Sequence, residues 1–303
     1  MTDQQRQNAR LLQLASLASV CVATTLIVVK LVAWNLTGST SLLASLVDSL
    51  MDLAASAINF MAIRYSLKAA DHEHRFGHGK AESLAGLAQA SFIAGSAVFL
   101  LIYAGNRLLD PRPLENIDAG LAVMLFSLML TTMLVIFQRH VIKRTGSVAI
   151  RADSLHYLTD ILTILVTMAA LFLARQGLLW ADPLLALGIA FYILYSAGQI
   201  IRESLRHLMD QELSPEIKGQ IRSIVLADQR VLGLHDLRTR QAGQTKFIQF
   251  HLDLATNLSL SEAHNIGREV AETLKKSFPG ADITVHQDPI KQHSPLNNQP
   301  PGK

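Results

Sequence analysis

Charged side chains are scarce in this chain. Asp, Glu, Lys and Arg make up 17% of its 303 residues, against about 25% in an ordinary soluble domain. With half the residues hydrophobic, that deficit argues against a wholly soluble protein. Cysteine is nearly absent: a single Cys21 in an apolar run excludes an intrachain disulfide and leaves the compartment unmarked. No basic run interrupts the chain and the formal net charge is only +3, so nothing points to nucleic acid. Hydrolase signatures are also missing, since the "HEH" at 72–74 lacks the spacing of a zincin protease.

What the chain has instead is long apolar segments. Six of them, at about 12–34, 41–64, 83–108, 117–140, 148–174 and 182–203, reach the roughly 18 residues needed to cross a bilayer. The N-terminus "MTDQQRQNAR" is polar and no small-residue cleavage site follows the first run, which predicts a retained span rather than a signal peptide. An even number of spans puts both termini on one side. Arg6 and Arg10, Arg64, Lys68, Arg75 and Lys80, and Arg139, Lys143, Arg144 and Arg151 fall on that side; the opposite loops hold Arg107, Arg112 and Arg175. The excess of Lys and Arg predicts that both termini are cytoplasmic. Span three, "AGLAQASFIAGSAVFLLIYAG", carries small residues at helical spacing, a face suited either to intrachain packing or to a subunit contact.

Beyond residue 205 the pattern changes. "SPEIKGQIRSIVLAD" reads as a short helix capped by Ser214 with Pro215 in its first turn. "LGLHDLRTRQ" and "TKFIQFHLDLA" alternate as strands around an "AGQ" turn. "SLSEAHNIGREVAETLKKSF" is an amphipathic helix with Ile266, Val270 and Leu274 on one face, and "ADITVHQDP" is a last strand. The fold class expected is a polytopic α-helical membrane protein with six transmembrane helices and a C-terminal cytoplasmic α+β domain of order α-β-β-α-β. The predicted organisation is a cytoplasmic tail at 1–11, the membrane domain at 12–205, the α+β domain at 206–290 and a disordered, proline-rich tail at 291–303.

Ionisable groups inside the apolar segments carry the functional signal. "LLASLVDSLMDLAASAINFMA" contains Asp48 and Asp52, and "LHYLTDILTILVTMAALFLA" contains His156 and Asp160. An Asp at the centre of a span costs about 2.5–3.5 kcal/mol on insertion scales, so two in one span require solvent or a counter-ion. Spacing of four places each pair on one helix face. Brought together, three carboxylates and an imidazole form a set of four ligands that suits Zn(II) better than Mg(II) or Ca(II). The competing reading is a wet cavity, or pairing with Arg or Lys; no Arg or Lys lies near the middle of any span except Lys30, which sits toward one end of span one. A second cluster, Asp71, His74 and His78 in "DHEHRFGHGKAE", is either a weak metal site or a solvated loop. In the α+β domain, strand alternation sets His251 opposite Phe250, Leu252 and Leu254, and His286 and Asp288 opposite Ile283 and Val285. His235 and His264 bring the histidines there to four, enough for a metal site or simply a polar surface.

DxxxD in span two, HxxxD in span five, six spans and an α-β-β-α-β tail together resemble the cation diffusion facilitator family, and "HRFGHGKAESLAGLAQA" and "HDLRTRQAG…FIQFHLDL…HQDP" resemble its bacterial zinc/proton antiporters. The resemblance covers about residues 10 to 290. It implies a homodimeric, multi-pass protein of the bacterial inner membrane that exchanges divalent metal ions for protons, with Zn(II) as transported substrate and as structural ion in the cytoplasmic domain. It also implies a loop site of one Asp and two His, and a two-zinc cytoplasmic site matched by His235, His251, His286 and Asp288, with His264 and Gln287 as further matches. Lys80 and Asp210 match an ion pair that holds the dimer at the membrane surface. Three other classes compete with export of Zn(II), Cd(II) or Fe(II). They are a membrane-anchored metal sensor, a membrane metalloenzyme, which the missing hydrolase motif disfavours, and an exporter of organic cations. The last would want an aromatic-lined pocket, but spans two and five offer only Phe60, Tyr157 and Phe172.

Overall fold

The computed structural model describes residues 3–37, 40–109, 121–174, 178 and 180–290. The proline-rich tail at 291–303, Arg112 and Arg175 lie outside the described residues. The chain divides into two compact units, a helical one of Asp3–Met209 and an α/β one that begins at Asp210.

The helical unit contains α1 (Asp3–Thr37), α2 (Thr40–Ser66), α3 (Lys80–Leu109), α4 (Leu121–Thr145), α5 (Val148–Ala174) and α6 (Ala181–Leu208). Helix α1 begins at Asp3, so the described residues of the expected N-terminal tail are its first turns. Five of the six, all but α5, are long and apolar enough among their described residues to cross a membrane. Six helices of spanning length are therefore present, five of them with an apolar span among the described residues. Arg151, Asp153, His156 and Asp160 lie in the first half of α5. Large apolar side chains such as Val32, Phe99, Ile102, Ile136 and Phe191 point outward, as a hydrocarbon surround requires.

Helix α3 packs most extensively on α6, and α5 lies against α4, α6 and α3. The small-residue face of α3 is used within the chain: Ala90, Ile93 and Ala97 meet Val148, Ala152 and Leu155 of α5 and Ile193, Ala197 and Ile200 of α6. Helices α2 and α5 touch only narrowly. The placement of α5 is fixed at its start. Gly146, at φ 63, ends α4 by donating its N–H to the Ile142 carbonyl at 2.8 Å. The Ser147 hydroxyl then accepts from the Ile150 N–H at 3.2 Å, capping α5.

In the α/β unit, α7 (Pro215–Val225), β1 (Gly233–Ala242), β2 (Thr245–Leu254), α8 (Leu260–Ser277) and β3 (Asp282–Pro289) follow the expected order. The sheet runs β1-β2-β3, with β2 and β3 parallel. Gly243, at φ 56, supplies the left-handed residue of the hairpin turn. A reciprocal capping box starts α8: Ser259 Oγ accepts from the Glu262 N–H, and the Glu262 carboxylate accepts from the Ser259 N–H. Ile248, Phe250, Leu252 and Leu254 of β2 pack with Ile221 and Val225 of α7 and Ile266, Val270 and Leu274 of α8. One face of the sheet is covered by helices; the face carrying His251 is not.

This core makes the α/β unit the part whose stability is simplest to read. Leu252 is fully buried, so Leu252→Ala should cost about 2–5 kcal/mol, while Ser259→Ala, which breaks the capping box, should cost about 1 kcal/mol. Urea unfolding of the segment from Asp210 onward measures both. Equal losses, or none at Leu252, would contradict the packing described.

Candidate metal centre

Among the described residues, three groups of side chains present converging ligand atoms, and all three coincide with clusters read from the sequence. Asp52 of α2 meets His156 and Asp160 of α5, with one ligand atom from each within 4.8 Å of the others. His156 Nε2 lies 2.9 Å from Asp52 Oδ1, with the two side chains 16% and 15% exposed. That pairing and the 2.9 Å contact of Ser56 Oγ with the Tyr157 hydroxyl tie the two helices together. Asp48, one turn earlier on α2, is exposed and falls outside this group of three. Three of the four predicted ligands therefore meet across one helix-to-helix seam.

The surroundings explain how ionisable groups are tolerated there. Asp153, three residues before His156, is fully buried and accepts from Ser19 Oγ at 2.5 Å, Gln138 Nε2 at 2.7 Å and Gln89 Nε2 at 3.1 Å. It thus ties α5 to α1, α4 and α3 and holds the helix that presents His156. These partners make Asp153 a structural node. Tyr157 adds a second tie: its hydroxyl donates to the Ser19 carbonyl at 3.2 Å and lies 2.9 Å from Ser56 Oγ of α2. Lys30 of α1, which the sequence placed near a span end, also turns inward. Its Nζ donates to Ser49 Oγ at 2.6 Å and to the Ser45 carbonyl at 3.2 Å, both on α2.

The loop after α2 brings Asp71, His74 and His78 together. Asp71 Oδ1 accepts the backbone N–H groups of Glu73 and His74 at 3.0 and 2.7 Å. These bonds, the one from His74 above all, hold its carboxyl below the usual carboxylate range. Its oxygens lie 3.4 Å from His74 Nδ1 and 3.3 Å from His78 Nε2. His78 is buried against the edge of Tyr65, while Asp71 and His74 are exposed. A donor set of one carboxylate and two imidazoles fits a divalent ion, although two of the three face solvent.

On the uncovered face of the sheet, His235, His251 and Asp288 form the third group. Asp288 Oδ2 lies 2.8 Å from His251 Nδ1 and 3.2 Å from His235 Nε2, while its other oxygen lies 3.1 Å from His286 Nε2. The contact with His251 leads the effects that keep the Asp288 carboxyl below its usual range. Strand register explains the convergence, because His251 sits beside His286 and Asp253 beside Asp288 across β2 and β3. Asp253 was missed from the sequence, yet it is two residues beyond His251 on the same strand face, and its Oδ1 lies 3.3 Å from His235 Nδ1. Two aspartates side by side repel, and a cation between imidazoles and carboxylates relieves that repulsion. The donor chemistry fits zinc.

Gln287 and His264 do not join this group within one chain. Alternation turns Gln287 to the helix-covered face, where its amide lies against Gly267 of α8, and His264 is exposed on α8 one turn earlier. Lys80 donates to the Leu208 carbonyl at 3.2 Å, and Asp210 pairs with Arg240 at 3.3 Å.

Comparison with known proteins fits this arrangement. The profile of the cation efflux transmembrane domain matches residues 16–209, and that of the cation efflux protein cytoplasmic domain matches residues 213–290. The chain is 50% identical to the cation-efflux pump FieF of Shewanella oneidensis over 92% of its own length and 94% of that protein. It is 49% identical to FieF of Yersinia pestis over 93% and 94%. Among solved structures it is similar to the metal-bound C-terminal domain of the CzcD transporter from Thermotoga maritima, with 21% identity, TM-score 0.24, and coverage of 24% of this chain and 87% of that one. Two adjoining profiles span nearly all the described residues, and full-length relatives share half of the sequence. The chain therefore belongs to the cation diffusion facilitator family of cation-efflux proteins, which are transporters and not enzymes.

Proposed function

We propose that the chain exports Zn(II), with Cd(II) and Fe(II) as chemically related substrates, from the cytoplasm in exchange for protons. The carrying observation is the meeting of Asp52, His156 and Asp160 between two helices of an apolar domain. Helix α5 serves as the sixth span, both termini lie in the cytoplasm, and the membrane is the bacterial inner membrane. Asp48, on the same face of α2 as Asp52, completes the ligand set when a metal ion draws its carboxylate in.

The chemistry of these groups supports exchange rather than passive flow. A carboxylate or imidazole must be deprotonated to bind a metal ion, so loading releases protons and unloading takes them up. Histidine is the side chain best suited to that trade near neutral pH, which gives His156 the proton-carrying role. Because α2 and α5 touch only narrowly, a small rocking of one against the other suffices to expose the site first to one side and then to the other.

In the cytoplasmic domain, His235, His251, His286 and Asp288 hold zinc as a structural ion. His264 and Gln287, which sit on the helix side of the same domain, complete that site only from a second subunit. The protein works as a homodimer, with Lys80 and Asp210 as an ion pair at the membrane surface. The loop residues Asp71, His74 and His78 form a weaker site beside the cytoplasmic mouth. A metal sensor merely anchored by its helices is disfavoured, since anchors need no carboxylates facing an imidazole across a helix seam.

Two outcomes are expected. In proteoliposomes, Asp52→Ala or Asp160→Ala should lower zinc flux by at least about a hundredfold, since loss of a mere outer-shell partner of a metal ligand already costs about ten- to a hundredfold. Flux at the rate of the unsubstituted protein in either variant would overturn the assignment. His251→Ala should lower the number of zinc ions bound per chain and weaken the dimer while leaving flux through the helices measurable. An unchanged stoichiometry by elemental analysis would remove the cytoplasmic site.

A further inference from the structure

Lys30 is the one basic side chain among the described residues whose charged end is held inside the helical unit beside the proposed transport site. A lysine near the end of a span ordinarily extends its stem toward the headgroups. Lys30 instead reaches sideways to α2. Its ammonium donates to Ser49 Oγ at 2.6 Å and to the Ser45 carbonyl at 3.2 Å. Ser49 lies between the two aspartates in sequence, directly after Asp48. Lys30 also interacts electrostatically with Asp52, Asp48 and Asp160, all three carboxylates of the proposed site. An ammonium has three donors, and the two serine contacts use two of them.

We infer that Lys30 is a fixed counter-charge that sets how tightly the transport site holds a divalent ion. Three ionised carboxylates carry three negative charges. A divalent ion supplies two positive charges and Lys30 the third, so the loaded site is neutral as a whole. Neutrality matters where the dielectric is low, because an uncompensated charge resists moving with a helix through hydrocarbon. Without Lys30 the carboxylates would bind a divalent ion more strongly and release it more slowly. Ser45 and Ser49 position the ammonium close enough to weaken binding yet keep it on the wall of α2, clear of the seam where Asp52 meets His156. Lys30 is thus a positioning and affinity-setting residue rather than a ligand. This inference rests on the transport reading.

The test compares zinc KM and kcat in proteoliposomes for the unsubstituted protein, Lys30→Met, Lys30→Gln and Lys30→Arg, with Asp52→Ala alongside. Methionine keeps most of the stem and removes the charge; glutamine keeps a donor for Ser49 and removes the charge; arginine keeps the charge. Both neutral variants should lower KM roughly tenfold or more, the order set by one unit charge several Å away at an effective dielectric of about 20, and should lower kcat as well. Arginine should restore both within about twofold. Zinc affinity of the detergent-solubilised protein, read by chelator competition as the difference from Asp52→Ala, gives the same answer for a variant too slow to yield a KM. An unchanged or raised KM in the neutral variants overturns the inference. So does a glutamine variant that behaves like the unsubstituted protein, since that would leave only a hydrogen bond at work. An arginine variant as impaired as methionine would overturn it too, since the side chain would then act only through its shape. If the unsubstituted protein moves no zinc at all, it is the transport reading that fails.

Discussion

The contact on which the rest of the helical unit depends is the one between His156 and Asp52, 2.9 Å apart across the seam of α5 and α2. Ionisable groups placed in apolar helices need partners on other helices, because lipid offers none. That requirement dictates much of the neighbouring design. Gly146 and Ser147 start α5 after a sharp turn. Asp153 then locks its first half to three other helices through Ser19, Gln89 and Gln138. Tyr157 ties it to α1 and α2. The site itself rests on a narrow contact, whereas α3 and α6 pack broadly.

The α/β unit solves a different problem with a different rule. Its sheet buries one face beneath α7 and α8 and leaves the other to histidines and aspartates. The two-residue period of a strand separates Phe250, Leu252 and Leu254 from His251 and Asp253 without further specification. Parallel pairing of β2 with β3 then sets His251 beside His286 and Asp253 beside Asp288. A polar face this rich in ligand atoms follows from strand register alone, and the first turn of α8 is held independently by its capping box.

Much of this was legible in the sequence. The element order of the α/β unit, the apolar face of α8 and the three metal-ligand clusters were all readable, because spacing of two and of four residues translates directly into shared faces. Other features depended on which elements meet. Asp48 shares a face with Asp52, but helix spacing does not say which carboxylate reaches across to α5. Gln287 was grouped with the ligands on resemblance, whereas alternation already assigned it to the face opposite His286. Lys30 was set aside for its position along α1, and only the packing of α1 on α2 brings it to Ser49. The identity of the partners of Asp153 was equally unreadable, since Ser19, Gln89 and Gln138 come from three separate helices.

The central claim is that protons and a divalent ion trade places at one set of side chains. It is tested most directly by recording pH inside sealed proteoliposomes, with a trapped dye, while a zinc gradient is imposed with no other driving force. The account predicts that zinc moving one way moves protons the other way, and that the pH change ends when the zinc gradient is exhausted. Zinc flux at full rate with no accompanying proton movement would contradict it.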